Sequence, residues 1–436
     1  MAGDFIGYDL NQKYCQISFY NEKQQEPQTM ETVVDNYQIP LIIGRRNDEQ
    51  IECGQNKKIW VIGNEAKRLE VTKKGEVVHN LYEKVTKQEK VKIGKDNYDA
   101  AWLLAKYIEL SLEKFEKIEQ IVFTLPKLTV EFGKTLKNIS KFIGISKESV
   151  YVQDYKESFC NYMLYQPKEL WQYEAALFQC DRHEVKAYML RKLRTGFGKG
   201  KDTFITVDEV ANAKMSELSA VYPVLNVDRA KEADNSFKKF VQGVFNKKLI
   251  SSVFLVGEGF ENNWYPQSLK VMCNGRRAFI GNNLYSKGAC YAAYKRSLPV
   301  FEGPIYLDET KMMDQICLKL RVNGLDKWMP IISWGTRWYE ADASFEILLE
   351  NTDEIEIHVE SLVGTQMKVE KVSMDGLPKR INYSLRLYVK AVFLDEKTCK
   401  ISFRDMGFGE FFPATDFYAE KEIHLGGSNG QYNSLS

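Results

Sequence analysis

The chain has almost no net charge: 60 lysines and arginines stand against 59 aspartates and glutamates over 436 residues. No one-signed field exists to gather nucleic acid or an anionic membrane surface, so neither is expected as a partner. Local basic stretches such as Lys192 to Lys201 read as solvated loops. No apolar run approaches the roughly 20 residues needed to span a bilayer, and the N-terminus lacks the apolar core of a signal peptide. A cytoplasmic location is the expectation. The eight cysteines, at positions 15, 53, 160, 180, 273, 290, 317 and 399, form no CxxC and no close Cys/His pairing. That scatter predicts reduced, mostly buried thiols and no zinc site. His183 lies near Cys180 and Asp181, but three potential ligands in one short turn without a distant fourth read as a surface turn.

Hydrophobic residues make up 44% of the chain and aromatics 13%, enough to build packed interiors. The length exceeds one ordinary core, so two or three domains are expected. Only the ending, GGSNGQYNSLS, reads as a loose tail.

Residues 1 to 297 read as mixed α/β. FIGYDLNQKYCQISFY (5 to 20) is an apolar strand ending at Asp9, a polar turn and an alternating strand. Strand-like KKIWVIG (57 to 63) and the helical YDAAWLLAKYIELSLEKFEKI follow, then IEQIVFTLP (118 to 126), a buried strand closed by proline. A helix over 128 to 142, a strand over 149 to 153 and a helix over 154 to 165 lead to a second hairpin, EAALFQCDRHEVKAYMLR (174 to 191). Residues 196 to 235 read as a charged insert. After it come the helix NSFKKFVQGVFNKKL, the strand SSVFLVGEGF ending in Gly257 and Gly259, and the helix NLYSKGACYAAYKR with a small-residue face at Gly288, Ala289, Ala292 and Ala293. Residues 298 to 312 suit a linker. From 313 to 425, alternating strands between proline and glycine turns suit a β-sandwich.

An acid at a hairpin tip suits a phosphate or metal site, because amides in a tight turn form an anion trap and a carboxylate can hold the water shell of Mg²⁺. Asp9 fits that description, as it fits an ordinary acidic turn. The pair Gly257 and Gly259 permits close approach of backbone to a ligand, or is a plain glycine loop. GFGKG at 196 to 200 lacks full P-loop spacing and reads as a flexible loop.

In order and spacing, these blocks resemble the heat-shock protein 70 family, whose nucleotide-binding half has the actin-like ATPase fold. GYDLNQKYCQISFY stands where that family has its first phosphate hairpin, and IWVIGNEAKRLEVTKKGEVVHNLYEKV is similar to its nucleotide-site lysine segment. IEQIVFTLPKLTVEFGKTLKNISKFIGI, VYVQDYKESFCNYMLYQ, FLVGEGF and GACYAAYKR fit the following strand and helix, the connecting helix, the adenosine loop and the closing helix. LRLYVKAVFLDEKTCKISFRDMGFGEFFPAT is similar to the last strands of the family's peptide-binding sandwich. The resemblance implies ATP or ADP with Mg²⁺ as ligand, with Asp9, Asn11, Gly257 and Gly259 bordering it, and other proteins or peptides as partners.

The departures bear on activity. Asn11 replaces the first turn glycine; it tolerates left-handed backbone angles but adds a side chain near the phosphates. Gln179, Cys180, Asp181, Arg182 and His183 replace an acidic, triple-glycine turn whose bare amides would reach the phosphates. The expected lysine aligns with Tyr82, with Lys84 nearby, and the acid of the connecting helix is matched by Asp154, one methylene shorter than glutamate. Phosphoryl transfer depends on positioned charge, so these losses predict a degenerate ATPase site. Asp9, Asp154, Lys84 and Asp181 are the remnant catalytic candidates.

The expectation is a non-catalytic, chaperone-like or scaffold protein. An active ATP-dependent chaperone with unfamiliar groups, and a structural subunit of a larger assembly, are the alternatives. No helical segment follows the sandwich, so a lidless member is expected. The nearest equivalent of the family's apolar linker, Ile305-Tyr306-Leu307-Asp308, is bordered by Gly303-Pro304 and charge, which predicts weak coupling between halves.

Overall fold

The computed structural model describes residues 4–32, 37–47, 59–193, 203–299, 303–349, 353–362, 368–380 and 385–425. The chain forms two compact units, residues 1–190 with 207–302, and residues 191–206 with 303–436. The GFGKG segment, Cys53 and the C-terminal GGSNGQYNSLS lie outside the described residues. Among the described residues, no helix is long and apolar enough to cross a membrane.

The first unit begins with the hairpin of β1 (Asp4–Leu10) and β2 (Tyr14–Asn21). Period-two alternation divides its side chains between two faces. Ile6, Tyr8, Leu10, Cys15 and Ile17 enter one apolar core, leaving Gly7, Asp9, Gln16 and Ser18 on the other face. Antiparallel β3 (Glu26–Thr29) extends this sheet beyond β2, while β4 (Ile118–Leu125) and β5 (Val150–Asp154) add in parallel, for the order β5-β4-β1-β2-β3. Helix α1 (Ala100–Ser111) precedes β4, α2 (Val130–Ile139) joins β4 to β5, and α3 (Tyr155–Leu164) follows β5. Thr129 caps α2 by accepting from the Phe132 amide, and Asp154 caps α3 by accepting from the Glu157 amide at 2.8 Å.

The second half repeats the plan. Strands β6 (Glu174–Asp181), β7 (Glu184–Lys192), β8 (Phe204–Lys214), β9 (Ile250–Val256) and β10 (Arg277–Ile280) lie in the order β10-β9-β6-β7-β8. Helix α4 (Val227–Phe245) precedes β9, α5 (Pro266–Met272) joins β9 to β10, and α6 (Leu284–Ser297) follows β10. Apart from the short strands and helices between Ile39 and Asp99 in the first half, each half therefore reads strand, strand, strand, helix, strand, helix, strand, helix, and α6 of the second half packs against the first sheet. Phe178, Phe237, Val253 and Leu255 fill the core of the second half.

Residues read as a charged insert carry the eleven-residue β8 and the start of α4. Beyond Val207 the strand has only partly buried or exposed residues, so it offers no apolar alternation to read. The small-residue face of α6 has a steric cause. A Cβ at Gly288 would lie 2.0 Å from the Ser158 carbonyl oxygen of α3, and one at Gly7 would lie 2.1 Å from the Ser286 carbonyl oxygen of α6.

In the second unit, β11 (Ile305–Tyr306) pairs in parallel with Phe204 and Ile205, so part of the segment read as a linker is strand. Eight further strands follow: β12 (Asp314–Val322), β13 (Leu325–Ile332), β14 (Asp342–Leu349), β15 (Glu354–Ser361), β16 (Lys368–Ser373), β17 (Leu385–Asp395), β18 (Thr398–Asp405) and β19 (Tyr418–His424). They form two four-stranded sheets, β13-β12-β15-β16 and β14-β17-β18-β19. Ile316, Leu318 and Ile357 from one sheet and Val389, Ile401, Phe403 and Ile423 from the other share one core.

Candidate functional site

The two hairpins of the first unit face a common cleft. Asp9, near the end of β1, is 1% exposed. Burial, opposed by a hydrogen bond from Tyr155, lifts its carboxyl to about 7. The Tyr155 hydroxyl donates to Asp9 Oδ1 at 2.7 Å. No cation is paired with Asp9 by any described contact; its partner is a neutral phenol.

Asn11 closes the first turn differently from the expectation. It keeps a negative φ, since it is absent from the residues with left-handed backbone. Its Oδ1 accepts from the Lys13 amide at 2.9 Å and the Tyr14 amide at 3.0 Å, the Asx-turn arrangement. The side chain thus consumes two turn amides that a phosphate trap would need. The Lys13 ammonium reaches across to the Glu258 carboxylate at 2.5 Å, linking the first hairpin to the glycine loop.

The second hairpin presents no bare amide loop. Asp181 pairs with Glu184 across a turn in which Arg182 has φ +36°. Crowding by protein raises the Asp181 carboxyl, partly offset by Gln179 and Lys13. Gln179 Nε2 donates to Asp181 Oδ2 at 2.7 Å, while Gln179 Oε1 accepts from the Tyr285 hydroxyl at 3.0 Å. The rings of Tyr285 and Tyr155 stack, so the two hairpins are joined through protein groups alone.

Gly257 and Gly259 are accounted for by packing on that hairpin. A Cβ at Gly257, where φ is +104°, would lie 2.3 Å from the Cys180 carbonyl oxygen, and one at Gly259 would lie 2.3 Å from the Cys180 Sγ. The close approach permitted by these glycines is to β6. The Cys180 thiol is pushed up to about 12 by burial and by the neighbouring Asp181.

Of the other candidates, Lys84 makes its described contacts elsewhere, while Asp154 adjoins Tyr155 and, with Asp181, helps burial raise the Tyr188 hydroxyl. Lys84, on the helix Leu81–Thr86, pairs with Glu89 at 3.0 Å, and Tyr82 stacks on Phe132. Asp154 spends Oδ1 on the α3 cap and lies 4.0 Å from the Lys156 ammonium. The structure brings Asp9, Asn11, Asp181, Gly257 and Gly259 to one cleft. Tyr155, Tyr285, Lys13 and Glu258 complete it and were not singled out by the sequence reading. Tyr155 directly follows the acid matched to the connecting helix, which is the one local signal that pointed toward it.

A resident Mg²⁺-nucleotide does not fit these groups. The turn amides of the first hairpin are used by Asn11, the backbone over the glycine pair is covered by Cys180, and the space between the hairpins holds two stacked rings. Among the described residues no group of three His, Cys, Asp or Glu side chains is placed to hold a metal ion.

Comparison with known families places most of the chain. Residues 26–309 match the C-terminal part of a family of unknown function, DUF5716. Residues 311–425 match a domain of unknown function, DUF8552. No curated protein matches the chain.

Proposed function

We propose that this chain, which belongs to the DUF5716 family of unknown function, is a divergent heat-shock-70-like protein that acts by binding other proteins and does not hydrolyse ATP. The repeated strand and helix order of the first unit supports an actin-like fold with the cleft between its halves. The two sheets of the second unit, sharing one core, support a sandwich of the substrate-binding kind. Fold alone does not give activity, so the weight falls on the cleft.

The observation that carries the reading is the chain Asp9, Tyr155, Tyr285, Gln179, Asp181, which fills the cleft with hydrogen-bonded and stacked protein groups. Electrostatic stabilisation of a transferring phosphoryl group needs cations and donors aimed at it. Here the hydroxyl donors are aimed at side chains, and the Lys13 ammonium is held by Glu258. The cleft then serves as a joint between halves.

Calorimetric titration with ATP and ADP in the presence of Mg²⁺ tests this. No binding heat is expected. Micromolar, Mg²⁺-dependent binding would overturn the joint reading and favour an ATP-driven chaperone, for which ATPase above an Asp9→Ala control would be the next requirement.

A further inference from the structure

Where α6 crosses β2 and the end of α3, four tyrosines stand in two stacked pairs. Tyr20 of β2 and Tyr294 of α6 lie with ring centroids 4.0 Å apart and planes within 7°. Tyr165, directly after α3, lies on Tyr291 of α6 at 4.2 Å, again within 7°. The pairs adjoin: Tyr20 is 6.4 Å from Tyr291, and Tyr165 is 6.4 Å from Tyr294. Packing draws only on the rings, as Phe5 shows by closing edge-on against Tyr294 at 5.7 Å. The phenol groups add a chemistry of their own.

Tyr20 and Tyr294 are both partly exposed, whereas Tyr291 is buried. Burial, and then the adjoining Tyr294 hydroxyl, push the Tyr20 phenol up to about 12. The two hydroxyls therefore stand together, and the rings stack with like ends matched. The Tyr155 and Tyr285 rings also stack, but their hydroxyls are held by Asp9 and Gln179 on opposite hairpins.

Loss of one electron and the phenolic proton leaves a phenoxyl radical, whose spin resides on oxygen and on the ring carbons ortho and para to it. The para carbon carries the rest of the side chain, so two such radicals join through ortho carbons. Matched stacking sets ortho carbon over ortho carbon, face to face, as this bond requires. Held in that arrangement, the two radicals need no diffusive encounter.

We propose that Tyr20 and Tyr294 form a site of oxidative cross-linking, at which two peroxyl radicals convert the stacked pair into a dityrosine that fastens α6 to β2. Each peroxyl radical takes one electron together with one phenolic proton and becomes a hydroperoxide. The two phenoxyl radicals form one carbon–carbon bond, and the ortho protons then move to the oxygens and restore both phenols. The pair loses two hydrogen atoms in all. Strand β2 belongs to the first half and α6 to the second, so the bond joins the halves covalently. This assignment stands independently of the nucleotide reading.

Exposure of the full chain to peroxyl radicals from a water-soluble azo initiator in air, followed by peptide mapping, tests it. The expected product is a monomer lighter by two hydrogen atoms, with dityrosine fluorescence and one linked peptide pair carrying residues 20 and 294. Its yield per chain stays constant over a protein dilution series. Tyr20→Phe and Tyr294→Phe keep the stacked rings, and each reduces the linked product to background. Tyr173→Phe, at an exposed ring outside the cluster, leaves it unchanged. Hydroxylated rings at 20 and 294 with no link between them would overturn the proposal. So would a link that joins 165 to 291 or 155 to 285 instead, or links that form only between chains and rise with concentration. The map of the unmodified sequence decides among these outcomes without relying on the variants.

Discussion

Tyr155 and Tyr285 stack with ring centroids 3.7 Å apart and planes within 9°, and their hydroxyls bond to opposite hairpins. The two residues start the helices that follow the last strand of each half, so they occupy equivalent places in a repeated plan. A contact between equivalent positions across the cleft joins the halves symmetrically.

Removing only the Tyr285 hydroxyl should differ from removing its ring. Tyr285→Phe keeps the stack and loses the bond to Gln179, a change expected to cost about 1 kcal/mol. Tyr285→Ala also empties a buried aromatic volume, with an expected cost of about 3–5 kcal/mol. Denaturant unfolding of both variants checks the ordering. Equal costs would mean that the ring contributes nothing to the joint.

Asp9 makes the first unit less stable as the solution becomes more alkaline. Its folded pKa of about 7 lies above the unfolded value of 3.8, so the folded state binds the extra proton between those values. Stability linked to Asp9 is therefore fully present below about pH 4 and is lost as pH rises through 7. Asp9→Asn removes the dependence while retaining an acceptor for Tyr155. The variant should match the parent near pH 4 and exceed it by a few kcal/mol above pH 7, since each tenfold change in proton affinity corresponds to about 1.4 kcal/mol. Thermal melts at pH 4, 6 and 8 give the comparison, and a constant difference across them would contradict the assignment.

Arg380→Ala should weaken the second unit by about 3–5 kcal/mol, because it strands the buried Asp405 carboxylate, both oxygens of which Arg380 grips. Burial works to raise the Asp405 pKa, but Arg380, Gly407 and Thr415 outweigh it and hold the group at about 2. The sign is opposite to that of Asp9: the stabilisation is present above pH 4 and lost as pH falls toward 2. Hydrogen exchange of residues 385–424 should show loosening in Arg380→Ala at neutral pH. An unchanged exchange pattern would remove the ion pair as the staple of the loop after β18.

Much of the architecture is written in local pattern. The hairpin 5–20 alternates cleanly because one face enters the core and the other faces α6, and Pro126 follows the close of β4. The strands of the second unit alternate for the same reason, each contributing one face to a shared interior. Strand β8 was hidden because most of its length buries little. The cleft was legible in its acids and glycines, whose types suggest chemistry, and illegible in its aromatics. Beyond the place of Tyr155 directly after Asp154, nothing local distinguishes Tyr155 and Tyr285 from the other tyrosines of a tyrosine-rich chain; the meeting of two helix starts, 130 residues apart in sequence, gives them a role. Asn11 shows the same limit: its type suited a left-handed turn, but an Asx turn met the same need with a negative φ.

The packing of Cys180 against Gly259 makes the cleft its own reporter. A thiol held near 12 and enclosed by backbone is inert to alkylating reagents, whereas Cys273, at the end of α5, is open to them. Any excursion that parts β6 from the glycine loop must first uncover Cys180 sulfur. The ratio of labelling at positions 180 and 273 therefore measures how often the glycine loop lifts from β6 within the second half, with the second cysteine as an internal clock.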